Sequence, residues 1–232
     1  MNRPYIICHM MSSINGKILT ENWGNVLESG ELGNLYEDFH EKLDAQAWMC
    51  GRNTLEIDFT HGAKPELVKS SEAITRTIYK ANSDAESFAI AIDTHGKLGW
   101  QDDNIDGDHV ISMLSEKVSD EYLHFLKRKG ISYIVSGKSE VDLKAAFGIL
   151  YTEFGIGKIL LEGGGHVNGS IYEAGLLDEL SLIVLPIIDT TPNTPTVFEY
   201  TSDSGKNEVE LLELKEVKQL AKGALWLNYR TK

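Results

Sequence analysis

The segment over residues 158–188 constrains the fold more than any other part of the sequence, because it predicts a strand, a glycine turn, a helix and a second strand in direct succession. Residues 159–161 form a short apolar run, which is typical of a strand covered on both faces. Three glycines follow at positions 163–165, and the apolar residues after them repeat with a helical period. A second apolar run at 180–188 is too short to span a bilayer. This order of elements favours an α/β protein.

The three glycines admit two interpretations. Glycine has no side chain to keep a ligand away from the backbone, so exposed N–H groups and the start of the following helix would favour a phosphate. A tight turn in which glycine relieves backbone strain would use the same residues. The segment by itself does not separate a phosphate site from a simple turn.

Length and composition indicate a soluble globular protein. The chain has 232 residues, of which 42% are hydrophobic and 25% are charged. This length allows one large domain or two small ones. No Pro-, Gly- or Ser-rich linker, internal repeat or low-complexity tract interrupts the sequence. We therefore predict a single domain over residues 1–232.

The formal net charge of −13 at pH 7 restricts the partners of the protein. An acidic surface repels nucleic acid and anionic membranes, and no basic stripe offsets that repulsion. An anionic ligand must then be held by a local site of backbone N–H groups and a few cations. We predict a small-molecule substrate, and neither nucleic acid nor a membrane as a partner.

The cysteines and the N-terminus bear on metal binding and location. Cys8 and Cys50 lie in apolar segments, which favours two core thiols over a disulfide or a metal pair. Neither a Cys-x-x-Cys nor a His-x-x-x-His pattern is present, so no metal site is predicted. The first residues lack the apolar core of a secretory signal peptide, and we expect a cytoplasmic protein.

Short strands alternate with helices through residue 188, and two segments of alternating polarity follow. This pattern predicts a three-layer α/β/α sandwich with a mostly parallel central sheet and a C-terminal antiparallel hairpin. The predicted strands cover residues 5–11, 45–50, 88–92, 110–114, 131–135, 159–161, 180–188, 209–217 and 225–229. The predicted helices cover residues 29–43 with Ser29 as N-cap, 121–129, 142–154 and 168–174, with a short helix opening at Arg52. Residues 65–81 are predicted as a surface helix and loop, and residues 101–108 as a solvated loop.

Ligands of mostly parallel sheets bind beyond the carboxyl ends of the strands. Polar residues and glycines gather at those ends, in residues 12–17, 51–58, 93–97, 136–137 and 162–168. No Gly-x-Gly-x-x-Gly motif follows the first strand, which argues against an ordinary Rossmann domain.

Four of these segments resemble, in order, the motifs of a known family. Residues 11–18 are similar to its Ser-x-Asp-Gly-Lys/Arg-Ile turn, and residues 51–58 to its Gly-x-x-Thr-Val segment with a following Asp. Residues 92–98 are similar to its Asp-Ser/Thr-x-Gly-Lys/Arg-Leu turn, and residues 161–180 to its Glu-Gly-Gly-Gly stretch. The chain thus resembles the reductase domain of the bifunctional riboflavin-biosynthesis deaminase/reductase and the free-standing pyrimidine reductases related to it.

This resemblance implies a dihydrofolate-reductase-like fold, a homodimer and an NADPH-dependent activity. The activity implied is reduction of a ribosylamino-pyrimidine 5′-phosphate to its ribitylamino form. Asn15 stands where the family usually has Asp, which puts the substrate preference in question. The zinc-binding motif of the deaminase partner domain is absent from the sequence, so deamination is not expected of this chain.

The resemblance also implies roles for single residues. Those expected to bind the cofactor are Gly51, Thr54, Thr94, Lys97, Ser136, Gly137, Gly163, Gly164, Gly165 and Asn168. Those expected to contact the substrate are Ser13, Asn15, Asp58 and Glu162, and those expected to act in catalysis are Glu162, Asp58 and Lys17. Within the cofactor set, the glycines at 163–165 with Asn168 would hold the pyrophosphate. Thr94 and Lys97 would face the 2′-phosphate, because a hydroxyl and a cation suit a dianion.

Each assignment has a plain alternative. Thr94 and Ser136 are equally consistent with turn caps. Lys97 is consistent with a solvated surface lysine, and Glu162 and Asp58 with helix caps. Two other functions also stay open: a dihydrofolate-reductase-like enzyme acting on a pterin, and a nucleotide-binding relative without catalysis.

Overall fold

The computed structural model describes residues 2–28, 30–200 and 209–231. Its strands are β1 (Tyr5–Ser13), β2 (Ala47–Gly51), β3 (Ile78–Tyr79), β4 (Phe88–Ile92), β5 (Asn104–Ile105), β6 (Asp108–Leu114), β7 (Ser132–Val135), β8 (Lys158–Leu161), β9 (Glu179–Leu185), β10 (Glu213–Gln219) and β11 (Leu225–Arg230). Its α-helices are α1 (Asn25–Glu28), α2 (Leu35–Leu43), α3 (Arg52–Asp58), α4 (Asp120–Lys129), α5 (Leu143–Phe154) and α6 (Gly165–Glu173). Short 3₁₀ turns cover Thr20–Trp23 and Ala221–Gly223.

The chain forms two compact units. The first unit comprises Met1–Pro4 and Gln46–Ile159, and the second comprises Tyr5–Ala45 and Leu160–Lys232. The middle of the sequence thus builds one unit, while its two outer parts build the other.

The first unit contains a mostly parallel sheet. β2, β4, β6 and β7 are parallel neighbours in that order, so their carboxyl ends share one edge. β3 adds an antiparallel strand to β7, and β5 pairs antiparallel with β6. Side chains such as Ile90, Ile111 and Met113 are fully buried, as expected for strands that are covered on both faces.

Two helices of the first unit have complete end signals. The Ser119 hydroxyl caps α4 by accepting a hydrogen bond from the Tyr122 N–H, and Gly130 ends this helix in the left-handed conformation. The Asp142 carboxylate caps α5 by accepting from the Ala145 N–H, and Gly155 ends it in the same way. Both helices were predicted from sequence to within one residue of these bounds.

The second unit holds the closing hairpin. β9 lies parallel to β1 and antiparallel to β11, and β10 pairs antiparallel with β11. β8 neighbours β1 on its other side. The expected α/β class, with mostly parallel strands and a C-terminal antiparallel hairpin, is therefore confirmed.

A hydrophobic cluster joins the helices of the second unit to its strands. Phe39 of α2 packs on Trp226 of β11, with ring centroids 4.7 Å apart. Trp23 and Leu185 are buried in the same cluster. Burial of this apolar area holds α2 against the sheet, at about 25 cal/mol per Å².

Three sequence-based predictions were wrong in detail. The helix predicted over 29–43 begins at Leu35, because Gly30 adopts a φ of +75° and the chain turns there. The predicted cap Ser29 lies outside the described residues. Residues 65–81 contain no helix: they have no regular secondary structure before β3, and Arg76, just ahead of that strand, donates to the carbonyl oxygens of Glu116 and Val118.

The third error concerns residues 101–108, which are not a plain loop. Asp106 and Gly107 both have positive φ angles, 51° and 100°, and form the tight turn between β5 and β6. Such an Asp-Gly pair is a strong hairpin signal.

Both cysteines are free and buried, as predicted from their apolar surroundings.

Candidate active site

The turn after β1 is built around a buried serine. The Ser13 hydroxyl donates to the Asn15 side-chain oxygen at 2.9 Å and accepts from the Lys17 backbone N–H at 2.9 Å. Gly16 completes the turn with a φ of +84°. Three of the residues predicted at the substrate end are thus brought together in one rigid loop.

The Asn15 and Lys17 side chains fasten this loop to the segment after β9. Asn15 Nδ2 donates to the Asp189 carbonyl at 2.9 Å, and the Asp189 N–H donates to Asn15 Oδ1 at 3.1 Å. Lys17 Nζ donates to the Thr194 carbonyl at 2.7 Å. The Asn15 amide acts as a donor and an acceptor toward the backbone of one residue, Asp189, a pairing that an ionised aspartate cannot make.

Glu162 follows β8 directly and hydrogen-bonds a histidine of α2. His40 Nδ1 lies 2.7 Å from Glu162 Oε1. The Glu162 side chain is 10% exposed and the His40 side chain 31% exposed. Burial raises the pKa of Glu162 and nearby Glu37 adds to the rise, while hydrogen bonds from His40 and Tyr36 act in the opposite direction.

A fully buried histidine, His9, lies on β1 near this pair. His9 is fully buried, with Nδ1 3.0 Å from the Ser181 hydroxyl and Nε2 3.1 Å from the Tyr36 carbonyl. The Tyr36 ring stacks on the His9 ring at 4.5 Å. Burial lowers the pKa of His9 to about 4, so the ring is uncharged at neutral pH.

The glycine turn combines a strained backbone with close packing. Gly163 adopts a φ of +100°, which favours glycine at this position. A Cβ on Gly165 would overlap the Thr196 carbonyl oxygen, so this glycine lets α6 approach the segment after β9. Packing and turn geometry therefore account for two of the three glycines.

The start of α6 carries no side-chain cap. The Gly164 carbonyl accepts from the N–H groups of Val167 and Asn168 at 2.9 and 3.1 Å. Among the described residues no side chain caps the start of α6, and its first turn contains no acidic residue. An uncapped helix start of this kind presents backbone N–H groups and a partial positive charge to an anion.

Asn168 lies in this first turn but is fully buried. Its Nδ2 donates to the Val197 carbonyl at 2.8 Å, and its Oδ1 is buried without a hydrogen-bonding partner among the described residues. The amide therefore helps to fix α6 on the chain after β9. Its predicted contact with a pyrophosphate stays a prediction.

Three predicted residues lie on α3 of the first unit or at its start. Gly51 ends β2 and is the N-cap of α3, Thr54 lies half-buried in the first turn, and Asp58 is the last, exposed residue of the helix. The structure thus places Asp58 at the far end of α3 from Gly51.

The turn after β4 is organised by a buried aspartate. Asp93 Oδ2 accepts from the Lys97 and Leu98 N–H groups at 2.7 and 2.9 Å and from the Tyr122 hydroxyl at 2.9 Å. The Thr94 carbonyl accepts from the Ser115 hydroxyl at 2.9 Å. Among the described residues, neither the Thr94 hydroxyl nor the Lys97 ammonium has a hydrogen-bonding partner.

Ser136 and Gly137 form the turn after β7. The Ser136 hydroxyl donates to the Asp142 carbonyl at 3.1 Å. Gly137 has a φ of +79°, and a Cβ there would overlap the Glu140 carbonyl oxygen. Both residues have a structural role in this turn, and their predicted contact with adenosine stays a prediction.

His40 is the residue that sequence reasoning missed. It is separated from Glu162 by 122 positions, and no motif links the two. Its spacing of four residues from Tyr36 places both on one face of α2, which was a usable but weak signal.

Two general features of the described residues also bear on function. Over residues 2–28, 30–200 and 209–231, no group of three or more His, Cys, Asp or Glu is arranged to hold a metal ion. Within the same ranges no helix has the length and apolar character needed to cross a membrane.

Comparison with known proteins identifies a family that matches this chain. The profile of the RibD C-terminal domain matches residues 4–226. An Archaeoglobus fulgidus protein named 2,5-diamino-6-ribosylamino-4(3H)-pyrimidinone 5′-phosphate reductase is 22% identical over 211 residues, covering 91% of this chain and 93% of that protein. A protein of the same name from Methanothermobacter thermautotrophicus is 25% identical over 197 residues, covering 80% and 79%.

A similar fold occurs among solved structures. A pyrimidine reductase-like protein from Corynebacterium diphtheriae matches with a TM-score of 0.69 at 19% identity, covering 100% of this chain and 93% of that one. At this identity the likeness establishes the shared fold.

Proposed function

The chain belongs to the RibD C-terminal domain family, and on that premise we propose that it is a reductase that uses NADPH to convert a ribosylamino-pyrimidine 5′-phosphate into its ribitylamino form. The proposal agrees with the names of the archaeal relatives, which are reductases of such a pyrimidine phosphate. The observation that carries it is the pairing of a buried carboxyl group, that of Glu162, with the uncapped start of α6 three residues later.

Two sets of residues support the proposed binding of a dinucleotide phosphate. The first turn of α6 has neither a side-chain cap nor an acidic residue, so its N–H groups suit a pyrophosphate. Thr94 and Lys97 offer a hydroxyl and an ammonium group without partners among the described residues, which suits a further phosphate. We assign these residues to the pyrophosphate and the 2′-phosphate of NADPH, respectively.

The division of labour follows from this assignment. NADPH supplies the hydride when it is bound, and the protein aligns the donor and acceptor and excludes water. In this proposal the Glu162 carboxyl is the proton donor, and burial, which raises its pKa, favours that role. Asn15 and Lys17 fix the loop after β1 that borders the substrate, and Asp58 is proposed for the sugar or base.

Oxidation of NADPH by the purified protein tests the proposal. We expect oxidation with the ribosylamino-pyrimidine 5′-phosphate and none with dihydrofolate. Oxidation with dihydrofolate would instead favour a pterin reductase, and binding of NADPH without any turnover would favour a non-catalytic nucleotide-binding protein.

A separate experiment tests the proposed recognition of the NADPH 2′-phosphate by Thr94 and Lys97. The double variant Thr94→Ala/Lys97→Ala should weaken NADPH binding at least tenfold and leave NADH binding within about twofold, since one charge-assisted contact contributes about 1.5–3 kcal/mol. Glu116→Ala, in the neighbouring turn, is the control. Equal losses for the two nucleotides in calorimetry would remove Thr94 and Lys97 from the 2′-phosphate site.

A further inference from the structure

A histidine lies between the buried Glu162 carboxylate and solvent. His40 Nδ1 contacts Glu162 Oε1 at 2.7 Å, and the His40 side chain is three times as exposed as that of Glu162, 31% against 10%. Imidazole takes up and releases protons near neutral pH and has two ring nitrogens for doing so. The arrangement is that of a proton path from water to a buried acid.

Two of the other titratable groups near this pair, Cys8 and His9, are poorly suited to this task. Tyr36 and Glu37 of α2 and Cys8 and His9 of β1 contribute to the electrostatics of the pair. Burial raises the pKa of Cys8 far above neutrality and lowers that of His9 to about 4, so neither changes charge at neutral pH. Glu37 disfavours the ionised form of Glu162, and Tyr36 favours it.

His9 is further restricted by its contacts. Its two ring nitrogens lie against the Ser181 hydroxyl and the Tyr36 carbonyl, and the ring is fully buried. Neither ring nitrogen of His9 is therefore exposed to solvent for proton exchange. His40 is half-exposed and in direct contact with the carboxylate, so it is the better-placed group.

We propose that His40 is a relay residue that returns a proton from solvent to Glu162 in each turnover of the reductase. This inference rests on the proposed function. In the net reaction a C–H bond forms at the sugar C1 with the hydride of the reduced nicotinamide, and the C1–O4′ bond breaks. The electron pair of that bond stays on O4′, which takes one proton, while the dinucleotide is oxidised to NADP⁺.

The proton balance then involves both side chains. The Glu162 carboxyl gives its proton to O4′ and becomes a carboxylate. Protonated His40 passes a proton from Nδ1 to Glu162 Oε1, and the ring recovers one from water. One proton is consumed per turnover, and both residues return to their starting state. Glu162 is the catalytic residue in this scheme, and His40 acts through it.

The variant His40→Asn provides the main test. Its amide nitrogen takes the place of Nδ1 and keeps a donor for Glu162, but it does not titrate. We expect kcat to fall about ten- to hundredfold, with the KM values for NADPH and the pyrimidine phosphate within about twofold of wild type. Added imidazole should restore part of kcat, an effect that a merely structural role would not produce. His124→Asn on α4 is the matched control.

A second measurement uses the protein without cofactor. Difference infrared spectroscopy follows the carboxylic acid band of Glu162, identified as the band that Glu162→Gln removes. His40 lowers the pKa of Glu162 both by its hydrogen bond and by its positive charge. Asn and Gln carry no charge, so His40→Asn and His40→Gln should both move the midpoint of the Glu162 band to higher pH. If one of the two variants fails to fold, the other still allows the measurement.

The outcomes separate the relay from the reductase itself. If the wild-type enzyme does not oxidise NADPH with the pyrimidine phosphate, the proposed function is wrong and the relay is overturned with it. If the wild type is active and His40→Asn keeps its kcat and pH profile, the relay alone is overturned. An unchanged infrared midpoint in both variants would also overturn it.

Discussion

At the scale of single residues, His9 shows how burial decides a charge. Its ring makes two hydrogen bonds, yet desolvation outweighs them and lowers its pKa to about 4. A histidine in the unfolded chain titrates near 6.5. The unfolded state therefore binds more protons than the folded state between these two values, and stability falls as the pH falls through this window.

This difference gives a prediction for the variant His9→Asn. Wild-type protein should lose about 2–3 kcal/mol between about pH 7 and about pH 4.5 through this residue, at 1.36 kcal/mol per pKa unit. The variant is less stable at neutral pH because its packing is poorer, but its stability should depend less on pH by that amount. Urea unfolding at the two pH values measures both quantities. Parallel pH profiles would mean that His9 is charged in the folded protein.

Asn15 shows why a position can depart from its family pattern. Its amide pairs with both the N–H and the carbonyl of Asp189. In Asn15→Asp the carboxylate would face that carbonyl oxygen without a proton to donate, which should cost about 1–3 kcal/mol. The new carboxyl would have a raised pKa in the folded state, so the loss should shrink as the pH falls below about 4.

Urea unfolding of Asn15→Asp at neutral and acidic pH tests this reading. Asn53→Asp makes the same change of charge at an exposed position of α3 and is the control. A variant at position 15 as stable as this control at neutral pH would show that the amide pairing contributes nothing.

At the scale of elements, the bounds of a helix could be predicted where the sequence holds both an N-cap residue and a closing glycine. α4 and α5 carry a side-chain cap and a closing glycine within the sequence, and their bounds were predicted well. α2 was predicted six residues too long, because its apolar repeat extends into a segment where Gly30, with a φ of +75°, departs from helical geometry. Local patterns do not show which of two competing signals prevails.

Contacts between distant segments could not be predicted from the sequence either, because local patterns do not show which segments pack together. Residues 65–77 have no hydrophobic period of their own. Arg76 within them donates to the carbonyl oxygens of Glu116 and Val118, and Arg128 of α4 donates to the carbonyl oxygen of Glu66. The partnership of His40 with Glu162 likewise depends on where α2 lies against the sheet. Most of the predicted site residues were chosen because they follow strand ends, whereas His40 lies on a helix face, which that rule does not reach.

Two helical glycines give a matched test of element packing. A Cβ on Gly169 of α6 would overlap the Glu199 carbonyl oxygen, whereas one on Gly148 of α5 would lie 4.0 Å from its nearest neighbour, the Asn2 carbonyl oxygen. Gly169→Ala should therefore lower stability by about 1–3 kcal/mol through overpacking. Gly148→Ala should raise it by up to about 1 kcal/mol through helix propensity.

Thermal unfolding of the two variants measures the contrast. We expect melting temperatures that shift in opposite directions relative to wild type. A gain in both variants would mean that α6 moves away from residues 196–199 at no cost, and that glycine at 169 is not required for packing.

At the scale of the whole molecule, the charge of −13 acts against the proposed ligands. Both the dinucleotide and the pyrimidine phosphate are anions, and the protein repels them at long range. Binding must then come from short-range groups, such as the start of α6 and the Lys97 ammonium.

The exposed edge of the second unit leads to the last prediction. β10 lies at the end of its sheet among the described residues, and Leu214 and Val217 on it are 51% and 53% exposed. Apolar side chains on an edge strand favour association, and the family resemblance implies a homodimer. We predict that light scattering will give twice the chain mass of 25.8 kDa. Val217→Glu should favour the monomer, whereas Glu216→Gln on the same strand should not; a wild-type monomer at micromolar concentration would contradict the prediction.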